Sequence, residues 1–199
     1  MIRSRPALVA ATIGGLLLAV LWTPRVRAQD SNTPTGDPVR GERIAMTCSR
    51  CHGDRGISAA AWIPNLAGLN QEAIYKQLAD YRSGQRWPEW YMAGVAQALS
   101  LQDSADVSAY YARQTGAARQ TARTAVPPAA ASCGICHNAG KGVAPRIEGQ
   151  QPQYLEIQLS LFAQGVRSND QAQVMRQIAA KLTVDQIRQI SESLGQQAY

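Results

Sequence analysis

Apolar residues recur along this chain at intervals of three and four. Ile74, Leu78 and Tyr81 stand at i, i+4 and i+7, and so do Leu155, Leu159 and Phe162, which places each triplet on one stripe of an amphipathic helix. Gly84 and Gly165 follow these stripes, at the point where a left-handed residue would end the helix. Nearer the end of each copy the spacing returns with Val107 and Tyr111, and with Ile187, Ile190 and Leu194. Ser100 with Asp103 and Thr183 with Gln186 precede these positions at capping distance, and the second pair has capping-box chemistry. No run alternates with period two for long enough to make a strand. The pattern predicts an all-α chain.

The stripes also repeat each other. Gln77-Leu78-x-x-Tyr81-x-x-Gly84-x-Arg86 matches Gln158-Leu159-x-x-Phe162-x-x-Gly165-x-Arg167, and Pro64-x-Leu66-x-Gly68 matches Pro145-x-Ile147-x-Gly149. Met92-x-x-Val95-Ala96-x-x-Leu99-Ser100 matches Met175-x-x-Ile178-Ala179-x-x-Leu182-Thr183. Such self-similarity means two tandem domains, expected at residues 39–114 and 132–199, joined by an Ala-, Thr-, Arg- and Pro-rich connector at 115–131. Helical domains this small bury little of their own surface, so disulfides, metal or a large prosthetic group must complete each core. The whole chain holds one Phe, so aromatic side chains are a poor candidate for that filling.

Before the repeats, Arg3 and Arg5 lead an uncharged stretch from Ala7 to Thr23, followed by Val26-Arg27-Ala28. Residues 1–28 read as a secretory signal peptide, with a retained anchor as the alternative, because the apolar stretch falls just short of the roughly 20 residues that span hydrocarbon. Residues 29–38, rich in Asp, Asn, Thr, Gly and Pro, suit a flexible leader. The expected location is therefore the periplasm, either soluble or anchored to the periplasmic face of the inner membrane. This segment also explains the net charge of +6: Arg3, Arg5, Arg25 and Arg27 precede residue 29 where no acid occurs, leaving 16 bases against 14 acids. That balance excludes the one-sided basic surface of a nucleic-acid binder.

All four cysteines and both histidines fall in two segments, Cys48-Ser49-Arg50-Cys51-His52 and Cys133-Gly134-Ile135-Cys136-His137. Cys-x-x-Cys-His is the attachment signature of haem c, in which the two thiols bond the vinyl groups and the adjacent imidazole takes the iron. On one helical turn the two cysteines share a face, and the histidine can turn its ring beneath the porphyrin. A disulfide within each pair, or one zinc held by four thiolates, would leave both histidines in matched positions by coincidence. Two covalently bound haem c groups are thus expected, on Cys48, Cys51, Cys133 and Cys136, with His52 and His137 as axial iron ligands.

The sixth ligand follows by elimination, since no His or Cys remains. Met92, 40 residues after His52, and Met175, 38 after His137, occupy matched positions in the two repeats. Met46 lies two residues before Cys48, too close to reach the opposite face. The competing reading of Met92 and Met175 is ordinary core filling.

With these motifs in place, both repeats resemble class I cytochromes c, and the pair resembles the dihaem cytochromes of the c4 type over everything after residue 38. The resemblance implies a fold of two tandem class I domains, each wrapped around its haem. It implies that the carbonyls of Pro64 and Pro145 accept a hydrogen bond from the ligating imidazoles. The first repeat departs by a longer loop from Gly53 to Ile63 that contains Trp62, and by Trp87-Pro88-Glu89-Trp90; these tryptophans either wall the first haem or pack the loop.

Histidine and methionine together raise the potential and leave the iron no open position. The expected function is therefore electron transfer rather than catalysis. By the resemblance, single electrons pass between a quinol-oxidising complex or dehydrogenase and a terminal oxidase or reductase. One alternative is an electron-transfer subunit of a larger dehydrogenase, such as a flavin-containing sulfide oxidiser. A dihaem enzyme is a further one, disfavoured by the lack of a spare His or Cys. The expected partners are redox proteins, with no nucleic acid and with membrane association possible only through the N-terminal segment.

Overall fold

A computed structural model describes residues 34–87, 90–115, 128–137 and 142–197. By internal contacts the chain divides into residues 1–32 and 33–199, and every described residue belongs to the second unit. The expected signal segment 1–28, residues 29–33 of the expected leader and residues 116–127 of the expected connector lie outside the described residues. Among the described residues the regular elements are all helical, and no helix is long and apolar enough to cross a membrane.

Helix α1 runs Pro38–His52. Its start is fixed by Pro38 at the first position and by the Asp37 side chain, which accepts the backbone N–H of Val39 at 2.9 Å. It packs against α4, Leu101–Ala112, and the two approach so closely at Gly41 that a Cβ there would lie 2.1 Å from the carbonyl oxygen of Asp106. Buried Asp106 ties this crossing together: it accepts Arg40 Nε at 2.7 Å, the N–H of Asp37 at 2.7 Å and Gln102 Nε2 at 2.8 Å. Burial pushes the Asp106 carboxyl up, but these donors, Arg40 first, hold it below the ordinary carboxylate value. Between these helices come α2, Gln71–Arg82, and α3, Trp90–Ala98. Ala45, Leu69, Ile74, Leu78, Tyr81, Ala96, Val107 and Tyr111 form the buried cluster.

Among the described residues the second half repeats this plan with shorter elements at its start. A 3₁₀ turn at Pro128–Ala130 and a four-residue α5, Gly134–His137, stand where the first half has the fifteen-residue α1. Then follow α6, Pro152–Ala163, α7, Val174–Ala179, and α8, Val184–Gly195. The buried cluster here is Ala130, Leu155, Ile190 and Leu194. Capping proceeds as the pattern predicts: Gly84 and Gly165 are left-handed with φ of +74° and +71°. Capping boxes close at Ser100/Asp103 as well as at Thr183/Gln186.

The two halves meet along a polar seam. Asn65 N–H donates to Gln150 Oε1 at 2.7 Å, and Gln150 Nε2 returns a bond to the Asn65 carbonyl at 2.9 Å. Gln151 Nε2 donates to the Ser58 carbonyl at 2.7 Å, and Tyr154 N–H to that of Ala61 at 3.1 Å. At the centre lie the repeat-matched Gln77, Arg86, Gln158 and Arg167. Arg86 donates to Gln77 Oε1 at 2.8 Å and to Gln158 Oε1 at 3.2 Å, while Arg167 donates to Gln158 Oε1 at 2.6 Å and Gln77 Oε1 at 3.1 Å. Each guanidinium also covers an aromatic face of its own half, Arg86 over Tyr81 at 4.5 Å and Arg167 over Phe162 at 4.4 Å.

Candidate functional site

The last turn of α1 carries Cys48, Cys51 and His52. Cys48 and Cys133 are half-buried, and Cys51 and Cys136 are exposed. No three His, Cys, Asp or Glu side chains converge into a metal site among the described residues. Burial pushes both inner thiols, Cys48 and Cys133, above their ordinary pKa.

His52 is only 7% exposed, and its Nδ1 lies 2.9 Å from the Pro64 carbonyl oxygen. In the second half His137 Nδ1 lies 2.6 Å from the Pro145 carbonyl oxygen. A carbonyl can only accept, so Nδ1 carries the proton in both rings, and the neutral tautomer keeps its lone pair on Nε2. Burial pushes the His52 pKa down, partly opposed by the Pro64 bond and reinforced by the charge of Arg86. Both rings are held in the one tautomer that can bind a metal through Nε2.

Local backbone geometry explains how the prolines reach the histidines. In the first half Gly53, at φ +77°, ends α1 where a Cβ would fall 1.8 Å from the Ile57 carbonyl oxygen, a turn that only glycine can make. The loop then folds back: the Gly56 carbonyl accepts Leu66 N–H at 2.8 Å, and Asn65 Oδ1 accepts Ser58 N–H at 2.9 Å. In both halves the loop is hitched to the last helix by a glycine N–H, Gly68 to Tyr111 O and Gly149 to Leu194 O, each at 2.9 Å. Trp62 and Trp87 are 62% and 60% exposed, so neither is packed into this loop; the side chain of Trp90 lies outside the described residues.

Met92 on α3 is half-buried and packs, with Cys48, against the first buried cluster. The first half thus brings Cys48 and Met92 onto one core. Met175 is half-buried at the second position of α7, whereas the side chains packed on the second cluster are Cys133, Ile147, Leu159 and Leu182. Met46 is 67% exposed. Two accessible thiols and a tautomer-locked imidazole on one helical turn, beside a small core, fit a covalently attached haem in each half.

Two features of this neighbourhood had no sequence assignment. The Gln77/Arg86/Gln158/Arg167 quartet was visible as recurring polar residues but without a partner to give it meaning. Asp170, whose side chain is 4% exposed, accepts both the backbone N–H of Arg176 at 3.0 Å and its Nε at 2.7 Å, a contact with no periodic signal.

No family model matches the chain. It is similar to cytochrome c4 of Pseudomonas aeruginosa, 34% identical over 174 residues that cover 78% of this chain and 86% of that protein. A thiosulfate dehydrogenase electron acceptor of Stutzerimonas stutzeri is 34% identical over 168 residues, covering 74% of this chain and 77% of that one. Among solved structures, reduced recombinant cytochrome c4 from Pseudomonas stutzeri superposes with a TM-score of 0.73 at 29% identity, over 83% of this chain and 100% of that one.

Proposed function

Since the chain belongs to the cytochrome c4 family, carrying two covalently bound haem c groups and transferring electrons, we propose which of its residues hold those groups and where the electrons go. Cys48 and Cys51 hold the first haem covalently, and Cys133 and Cys136 the second. His52 and Met92 are the axial ligands of the first iron, and His137 and Met175 those of the second. The observation that carries this reading is the matched pair of Nδ1 bonds to Pro64 and Pro145, which leaves each Nε2 free to ligate. When bound, each haem supplies a one-electron couple whose iron is closed to exchangeable substrates. The protein's own part is to fix each imidazole, present each sulfur and hold the two halves together through the seam.

Residues 39–114 and 132–199 each form one haem domain, exported behind the segment 1–28 to the periplasm. The chain works there as a carrier without catalysis of its own, between a respiratory dehydrogenase or quinol-oxidising complex and a terminal oxidase or reductase. Similarity to a thiosulfate dehydrogenase electron acceptor supports a second reading, in which a sulfur-compound dehydrogenase is the donor. Met92→Ala and Met175→Ala test the ligand set. Each is expected to abolish the methionine-to-iron charge-transfer absorption of one haem only and to open that haem to carbon monoxide. A wild-type protein that already binds carbon monoxide rapidly at one haem would refute the closed-carrier reading.

A further inference from the structure

The segment that delivers Met175 is built unlike its counterpart. From Arg86 to Met92 the first repeat spans six positions, and from Arg167 to Met175 the second spans eight. The longer path is made by two successive left-handed residues, Ala172 at φ +51° and Gln173 at φ +60°. Neither is glycine, and each Cβ opposes that conformation, so the turn persists only if something outside it holds it. What holds it is Asp170, whose carboxylate is 4% exposed. One oxygen accepts Arg176 N–H at 3.0 Å and the other Arg176 Nε at 2.7 Å. The contact closes residues 170–176 into a ring with Met175 next to its fastening point. Position 93, which follows Met92 as Arg176 follows Met175, is an alanine; the first repeat has no cation there to make this clasp.

Resting on the assignment of Met175 as an iron ligand, we propose that Asp170 and Arg176 are positioning residues for that sulfur. Their clasp holds a strained arch in the one shape that presents Met175, and it sets how readily another ligand displaces the sulfur at the second haem alone. Charge-assisted bonds to a buried carboxylate are strong because the alternative is an unpaired charge away from water. Removing them lets the arch relax toward ordinary φ values and carries Met175 away from its place.

Imidazole titration of the oxidised, full-length dihaem protein tests this, followed by charge-transfer absorption and the potential of each haem. Asp170→Ala is expected to raise imidazole affinity at one haem on the order of tenfold, to lower that haem's potential and to leave the other haem unchanged. Arg176→Ala keeps the backbone N–H and should give a smaller rise at the same haem, roughly threefold. Asp170→Asn keeps an acceptor and should fall between wild type and Asp170→Ala. Asp106→Ala removes the buried carboxylate that Arg40 engages in the first half and should change imidazole affinity at neither haem. If Asp106→Ala raises affinity as much as Asp170→Ala does, general loosening explains the effect and the proposal is overturned. Met175→Ala separates the two layers of the argument. Should it open a haem that Asp170→Ala and Arg176→Ala leave unaltered, the clasp does not position the ligand. Should it open neither haem, the ligand assignment fails and the clasp proposal fails with it.

Discussion

In the first half Arg82 reaches from the end of α2 to the far end of α3, donating Nε and Nη2 to the Ala96 carbonyl at 3.0 and 2.9 Å and Nη2 also to the carbonyl of Leu99. In the second half the matching position is Ala163, and the hold is at the other end of the methionine helix, between Asp170 and Arg176. The comparison extends to the start of each half, where, among the described residues, fifteen-residue α1 packs on α4 and its counterpart α5 has four residues. What is shared is the inner frame: the imidazole bond to a proline, the glycine hitch to the last helix, and the capping box. The shared contacts lie around His52 and His137, whereas the contacts at the ends of α3 and α7 differ between the halves, so each half should answer separately to its own substitutions.

The largest test of that independence removes a haem from one half at a time. Cys48→Ala/Cys51→Ala and Cys133→Ala/Cys136→Ala should each lower the intact mass by one haem. The second variant should also become protease-sensitive over residues 132–199, because among the described residues its buried cluster of four is half the size of the first and depends more on what fills it. Equal sensitivity of the two variants would break the comparison. Next in size is Gly41→Ala, which drives a Cβ into the Asp106 carbonyl and should part α1 from α4 at a cost of about 1–3 kcal/mol. Thermal unfolding followed at each haem should show the first half destabilised and the second unchanged.

Arg82→Met sharpens the contrast between the two methionine helices. Loss of its bonds to the α3 carbonyls should weaken sulfur ligation at the first haem only, roughly tenfold in imidazole affinity, the mirror of the effect expected from Asp170. The smallest effect is acid sensitivity. Asp106 and Asp170 are both pushed up by burial, yet held below the ordinary carboxylate value by Arg40 and by Arg176 respectively. The unfolded chain therefore binds protons at a pH where the folded one does not. Their contribution is complete above about pH 4–5 and fades as pH falls through the lower folded values. Asp106→Asn and Asp170→Asn should each flatten the acid limb of the stability curve, which denaturant titration between pH 3 and 7 would measure.

The caps, the helix ends and the attachment motifs were legible because each rests on a local signal. Ser100 and Asp103 cap by spacing, Gly84 ends a helix by its freedom at positive φ, and His52 follows Cys51 in a motif whose chemistry is fixed. The seam was not legible, because Asn65 and Gln150 are 85 residues apart and nothing periodic links them. Gln77 and Arg86 recur as Gln158 and Arg167, yet recurrence alone does not say that the copies face each other. The methionine arch was hidden for a different reason: Ala172 and Gln173 are residues that local preference rarely places in left-handed backbone. The end of the expected connector also proved to be structure, since Ala130 lies buried among Leu155, Ile190 and Leu194.

The quartet at the seam has one more implication. Each glutamine oxygen accepts from its own arginine and from that of the other half, while Gln77 Oε1 accepts Asn169 Nδ2 besides, at 3.0 Å; exchanging the two halves preserves the four arginine bonds. That is the signature of an isologous contact, the kind two identical subunits make across a twofold axis. Such a contact requires nothing from the peptide that joins the halves, only that they stay near each other. A covalent connection supplies that proximity, with effective concentrations of about millimolar. A small hydrogen-bonded patch, too weak to assemble two free molecules at cellular dilution, can then serve as a lasting joint between two redox centres.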